Sequence, residues 1–161
     1  MKTLNDLFEH QLKDLYSAEN QLLDALPNVL AKVNDSELKN SIESHQEETK
    51  KQKERIKEIC DDLGFNPSGE ECKAMKGLIE ETNHFLKEDA ESDVRDAGII
   101  ANCQRIEHYE ISGYGTAVKF AKQLGHKDIA KKLQQTLDEE YNADEKLDKL
   151  AESRINAEAK A

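Results

Sequence analysis

Tryptophan is absent from this 161-residue chain, and aromatic residues make up only 5% of it. Proline occurs twice and glycine seven times. A chain so poor in aromatic and turn-forming residues has little with which to build half-buried strands, tight hairpins or a Pro-rich linker. Cysteine is scarce too: Cys60, Cys72 and Cys103 are odd in number and widely spaced, which excludes a disulfide framework and a zinc motif. No apolar run reaches the roughly 20 residues that span a bilayer, and Met1 to Asp6 lack the apolar core of a signal peptide. No membrane association and a cytoplasmic location are expected. Basic residues are in deficit, 23 Lys and Arg against 34 Asp and Glu, for a net charge of -11. That balance excludes a nucleic-acid partner, which needs a basic face, and suits a protein that attracts cations.

What remains is helical periodicity. A first helix is expected from Thr3, capped with Asp6 in its first turn, to about Val33, with Pro27 kinking its last turns. Its apolar stripe runs Phe8, Leu12, Leu15, Glu19, Leu22, Leu26, Leu30. After a short connection at Asn34-Asp35-Ser36, a second helix runs to Leu63 and stops at Gly64. Its stripe is Leu38, Ile42, His45, Thr49, Gln52, Ile56, Ile59, Leu63. Ser68 and Glu71 form a capping box for a shorter helix over 69–87, which reads as a crossover. Ser92 caps the third long helix, with Ile100, Gln104, Glu107, Ile111, Tyr114 and Val118 on its stripe. After Leu124-Gly125 the last helix carries Leu133, Leu137, Glu140, Asp144 and Leu147, and Ile155 to Ala161 reads as a frayed tail. Residues 1–161 are thus expected to form one all-α domain: an antiparallel four-helix bundle, two hairpins joined by a crossover that holds a short extra helix.

Acids stand where leucines belong in the middle of all four long helices: Glu19, Glu48 beside the second stripe, Glu107 and Glu140. A carboxylate facing a core is costly to desolvate unless it is paired, protonated or bound to a metal. In an antiparallel hairpin, residues equally far from the turn share a height. Glu19 and Glu48 do so about Asn34, Glu110 and Glu140 about Gly125, and Glu107 with Asp144 lies one turn further out. Spacing adds to this, since His45 and Glu48, Glu107 and Glu110, and Glu140 and Asp144 lie three or four residues apart on their helices. Taken singly, each acid reads as a flank residue reaching water and His45 as a hydrogen-bonded core histidine. Taken together, Glu19, His45, Glu48, Glu107, Glu110, Glu140 and Asp144 predict a shared site for divalent metal. Carboxylates with imidazole and no thiolate suit iron or manganese. A buried salt-bridge network is the competing reading, and the stripes offer few cations for it. Tyr109 and Tyr114 read as core packing beside the acids, as do Cys72 and Met75 on the crossover. Gly113 and Gly115 suggest close helix approach.

The segments Tyr16-Ser17-Ala18-Glu19, His45-Gln46-Glu47-Glu48-Thr49, Glu107-His108-Tyr109-Glu110, Tyr114-Gly115 and Glu139-Glu140, with Cys72-Lys73-Ala74-Met75, resemble the YciE/YciF family of bacterial ferritin-like proteins over nearly the whole chain. That resemblance implies a ferritin-like bundle, a homodimer and an association with stress responses. It implies no settled enzymatic activity. Ferritin-like di-iron proteins usually supply Glu-x-x-His from two helices; here His45-x-x-Glu48 runs in reverse and no histidine accompanies Glu140. Glu110 or Asp144 stands in the second histidine's place. Three functions follow as expectations: a di-metal protein reacting with dioxygen or peroxide, a non-enzymatic bundle that dimerises or binds a partner, and, less favoured, iron storage.

Overall fold

The computed structural model describes residues 1–160, and all of its regular elements are helical. Helix α1 spans Leu4–Leu30, α2 Ser36–Leu63, α3 Lys73–Phe85, α4 Ser92–Gln123 and α5 Lys127–Leu150; a π-helical turn Ala151–Ile155 leads into the short α6, Asn156–Glu158. Each boundary has a local cause. The Thr3 hydroxyl accepts from the Asp6 amide while the Asp6 carboxylate accepts from the Thr3 amide, so two of the orphan donors at the start of α1 are satisfied reciprocally. Pro27 lies inside α1, which ends at Leu30, short of the Val33 read from the pattern. Asp35 caps α2 through the Leu38 amide at 2.8 Å. Gly64 closes the same helix at φ 82°, a left-handed conformation that a side chain strongly disfavours.

Three expectations at helix ends need correction. The crossover helix starts at Lys73, and its cap is Cys72, whose sulfur accepts from the Met75 amide; Ser68 and Glu71 lie outside it. Glu91 is the residue preceding α4, and Ser92 is already helical with its hydroxyl on Asp93. The tail that read as frayed from Ile155 continues as helix to Glu158, and Ile155 is 1% exposed. Arg154 ties that end down through Asp35 at 2.7 Å, a pair that no local pattern announces. Ala161 lies outside the described residues.

The four long helices form a ring. Helix α1 packs on α2 and α4, and α5 packs on α2 and α4, while α3 lies across α1 and α4. Five residues connect α1 to α2 and three connect α4 to α5, so each pair must fold back on itself. The interior is divided lengthwise. One apolar cluster gathers Leu22, Leu26, Ile42, Ile99, Ile106 and Ile155 with α3 against it. The other gathers Phe8, Leu12, Ile56, Tyr114, Val118 and Leu133. Between them lies a layer of buried polar side chains from all four long helices, among them Glu19, Thr49, Gln52, Glu107 and Glu140.

Glycine marks close approach at two places in this packing. A Cβ on Gly113 would meet the Leu15 side chain at 2.8 Å, whereas at Gly115 the nearest atom is 4.0 Å away. Gly98 is the tighter case, because the Phe85 ring of α3 lies 2.0 Å from where its Cβ would stand.

Candidate metal centre

The polar layer contains a cluster that has one imidazole and three carboxylates. His45, Glu107, Glu110 and Glu140 each place a ligand-type atom within 4.8 Å of the others. Glu107 is 2% exposed, Glu110 1% and Glu140 0%, and His45 approaches Glu107 with Nε2 at 3.3 Å from Oε1. Glu19, also fully buried, joins the layer from α1, and its Oε1 accepts the Tyr114 hydroxyl.

Charge is crowded here, and the one basic side chain that offsets it, Arg55 acting on Glu19, is itself paired with Glu139. Burial pushes the Glu19 carboxyl far above its ordinary range, and repulsion from Glu140 adds to it. Glu107 and Glu110 rise for the same first reason, then through each other's neighbours: Glu140 for Glu107, and Glu19, Glu140 and Glu107 for Glu110. Glu140 is raised to about 7, mainly by burial, with Glu139 and Glu48 contributing repulsion. His45 moves the other way, down to about 4, because burial disfavours its cation and Lys146 repels it. At neutral pH the imidazole is therefore neutral, with a lone pair free to donate. No Lys or Arg among the described residues forms an ion pair with these four glutamates.

The orphaned atoms make the sharpest observation. Nine buried side-chain nitrogen and oxygen atoms have no hydrogen-bond partner among the described residues, and all nine belong to Glu19, His45, Gln52, Glu107, Glu110 and Glu140. A buried polar atom left unpaired costs about 1–3 kcal/mol, so nine in one layer would be a severe liability in a protein meant to keep them empty-handed. A multivalent cation resolves both the orphaned lone pairs and the like-charge crowding. The donor set fits a hard or borderline ion such as iron or manganese. No cysteine sulfur is among the gathered ligand atoms; burial pushes the Cys103 thiol up to about 12.

The structure gathers some of the residues expected from the pattern and separates others. Glu19, His45, Glu107, Glu110 and Glu140 share the layer. Glu48 is partly exposed at its edge, close enough to repel Glu140. Asp144 is turned to a different network, accepting from Gln104 at 3.1 Å and lying 3.1 Å from His108 Nε2. Of the two acids weighed for the second histidine's place, it is Glu110 that lies in the cluster. Gln52 is the residue that acid-counting passes over. It is 1% exposed, its Oε1 is orphaned beside the carboxylates, and its Nε2 donates to Glu139. Its place on the stripe, where an apolar side chain belongs, is the same signal that marks Glu19. Around it, Arg55 grips Glu139 through both guanidinium nitrogens at 2.9 and 3.1 Å. Cys72 and Met75 are both buried as the pattern suggests, and the Cys72 sulfur also meets the Tyr109 hydroxyl at 2.9 Å. Tyr109 is bound in turn to Asp14, and Tyr114 to Glu19, so both phenols have polar roles besides packing.

Fold and cluster together define an all-helical protein whose buried His and Glu side chains could hold a metal ion. A family model described as Domain of unknown function (DUF892) matches residues 3–160. Protein YciF of Escherichia coli (strain K12) is 42% identical over 160 residues, which cover 99% of this chain and 96% of that protein. The chain belongs to this family, that of YciF, as its motifs imply. The solved structure of the E. coli stress protein YciF matches with a TM-score of 0.93 over 97% of this chain and 99% of that one, at 42% identity. YcfI from Rhodopseudomonas palustris matches at 0.89 and 43% identity, over 92% and 94%. A Xanthomonas campestris protein at 20% identity shares the fold, with a TM-score of 0.78 over 96% of this chain and 95% of that one. No helix among the described residues is long and apolar enough to cross a membrane.

Proposed function

We propose that the chain is a single-domain, ferritin-like four-helix bundle that binds two iron or manganese ions in its polar layer and serves the bacterial stress response as a cytoplasmic homodimer. The nine orphaned atoms carry this reading, because they are confined to residues whose chemistry suits such ions. His45, Glu107, Glu110 and Glu140 would hold the metal, with Glu19 and the partly exposed Glu48 as further ligands at the edges of the cluster. Glu110 replaces Asp144 in this assignment, since the Asp144 oxygens are engaged by Gln104 and His108. When bound, ferrous ions in such a site supply electrons for the reduction of dioxygen or peroxide. The chain's own contribution is to hold the carboxylates against their repulsion and keep the Glu19 oxygen oriented through Tyr114. Stress association rests on kinship with the E. coli stress protein YciF, and dimerisation on the family resemblance of the motifs.

Protein purified without chelator and analysed for metals is expected to hold about two equivalents of iron or manganese, the stoichiometry of carboxylate di-metal bundles. A Glu107→Ala variant should lose most of that metal. Metal-free preparations whose stability is indifferent to added metal would sink the assignment. Anaerobic ferrous protein mixed with dioxygen or peroxide then separates a reactive centre from a structural one: oxidation no faster than that of free ferrous ion marks the site as structural.

A further inference from the structure

Gln52 occupies a core position of α2, between Thr49 and Ile56, where a leucine would leave no polar atom unpaired. The two ends of its amide meet different surroundings. Nε2 donates to Glu139 Oε2 at 3.2 Å, and Glu139 is itself fixed: Arg55 grips it through both guanidinium nitrogens, and Gln135 donates to it at 3.0 Å. Arg55 also donates to the Thr136 hydroxyl, which pins the clamp to α5. A carboxylate paired to an arginine can only accept, so the amide cannot turn over without setting its oxygen against a second acceptor. The clamp therefore decides which end of the amide is left over. It is Oε1, buried and without a hydrogen-bond partner. Further carboxyls stand around it, since Gln52 is close enough to bias Glu140, and Arg55 and Glu139 are close enough to bias Glu19. Among such neighbours an amide oxygen is satisfied only by a proton or a cation.

Position along α2 separates Gln52 from the imidazole. Gln52 follows His45 by seven residues, about 10 Å of helical rise. The ligand atoms of His45, Glu107, Glu110 and Glu140, by contrast, fall within 4.8 Å of one another. An ion bound through His45 does not span that offset. We propose that Gln52 Oε1 is a metal ligand on the Glu19 side of the layer, a neutral oxygen that shares a cation with Glu19 and Glu140, and that Arg55 and Glu139 are positioning residues that hold it there. The inference rests on the metal-site reading and deepens it by assigning a ligand outside the carboxylate and imidazole set. An amide oxygen is a hard donor that suits manganese or ferrous iron, and it adds no charge to a layer already crowded with carboxylates.

Manganese is the probe, added to full-length protein stripped with chelator. Crystals soaked in manganese, with anomalous scattering to place the ions, should show one within about 2.6 Å of Gln52 Oε1, the reach of an oxygen–metal bond. In calorimetric titration Gln52→Leu should bind manganese about tenfold more weakly or worse. Its metal-free Tm should hold or rise, because an orphaned polar atom has gone. A merely structural amide predicts the reverse, a lower Tm with unchanged affinity. Arg55→Gln, at the partly exposed end of the clamp, repeats the test if the buried substitution does not fold. By charge alone the loss of a cation beside the layer tightens manganese binding, whereas release of the amide weakens it, and weakening is the result expected. Manganese bound with Gln52 Oε1 beyond bonding distance, unchanged affinity in Gln52→Leu, or unchanged or tighter binding in Arg55→Gln overturns the assignment and leaves the site at His45 standing. A parent protein that binds no manganese overturns the site reading and the assignment with it.

Discussion

Changing pH in the absence and presence of metal should expose the crowded layer directly. Glu140 holds its proton up to about 7 in the folded chain, against an ordinary 4.5. Its contribution to stability is complete below 4.5 and is lost as pH rises through 7, a loss of about 3 kcal/mol. His45 has the opposite sign. Lowered from 6.5 to about 4, it contributes stability that is complete above 6.5 and is lost as pH falls through 4, again about 3 kcal/mol. Between about 4.5 and 6.5 the histidine's slope offsets that of Glu140 alone, while Glu19, Glu107 and Glu110, raised in the same direction, make the stability of the metal-free protein fall as pH rises. Above 6.5 the histidine adds nothing further. Glu19, Glu107 and Glu110, all raised well above the usual carboxylate range by burial and mutual repulsion, continue to give up protons at the expense of the folded state. One carboxyl titrating there sets a slope of about 1.4 kcal/mol per pH unit, or about 3–6 °C in Tm for a chain of this size. A bound cation replaces the protons, so metal should flatten the profile and add about 2.7 kcal/mol at a hundredfold excess over Kd. Scanning calorimetry at pH 6.5 to 9, in chelator and in manganese, measures both. A metal-free Tm that stays level or rises across that range, or one that manganese does not raise, would refute the reasoning.

Four substitutions test the rest of the account. Glu110→Leu should stabilise the metal-free protein at pH 8 by about 1–4 kcal/mol, since an apolar side chain replaces a buried unpaired carboxyl, while abolishing the Tm gain from metal; urea unfolding with and without manganese checks both halves. Ile155→Ala should cost about 2–4 kcal/mol in the same assay, a value foreign to a frayed tail. Gly98→Ala should cost about 1–3 kcal/mol because the Phe85 ring occupies the space, whereas Gly115→Ala should be neutral or stabilising by up to about 1 kcal/mol.

Much of the fold was legible because it rests on local rules. Thr3 with Asp6, the 36–63 helix and the stop at Gly64 follow from side chains that satisfy or release backbone groups within a turn. The stripe of α2 was read correctly from Leu38 to Ile59, including its polar members. Errors fell where distant partners decide. The start of α3 is set by the Cys72 amide donating to the Ser17 hydroxyl and the Gln21 side chain donating to the Cys72 carbonyl, both more than fifty residues away. The helical tail is held by Asp35 and by burial of Ile155 against the core.

The site divides in the same way. Periodicity and distance from the turns were enough to pair Glu19 with Glu48 and Glu110 with Glu140 in height, with Glu107 one turn further out, because helical rise and hairpin closure are properties of the chain alone. Rotation about each helix axis and the choice of partner are not. Whether Asp144 faces the carboxylates or Gln104 and His108, whether Glu48 is immersed or at the edge, and whether Gln52 adds its orphaned oxygen all depend on how four helices settle against one another. The sequence by itself determined that several acids must share the interior. Only the tertiary structure decided which of them lack every partner, because an orphaned atom is defined by its neighbours in space.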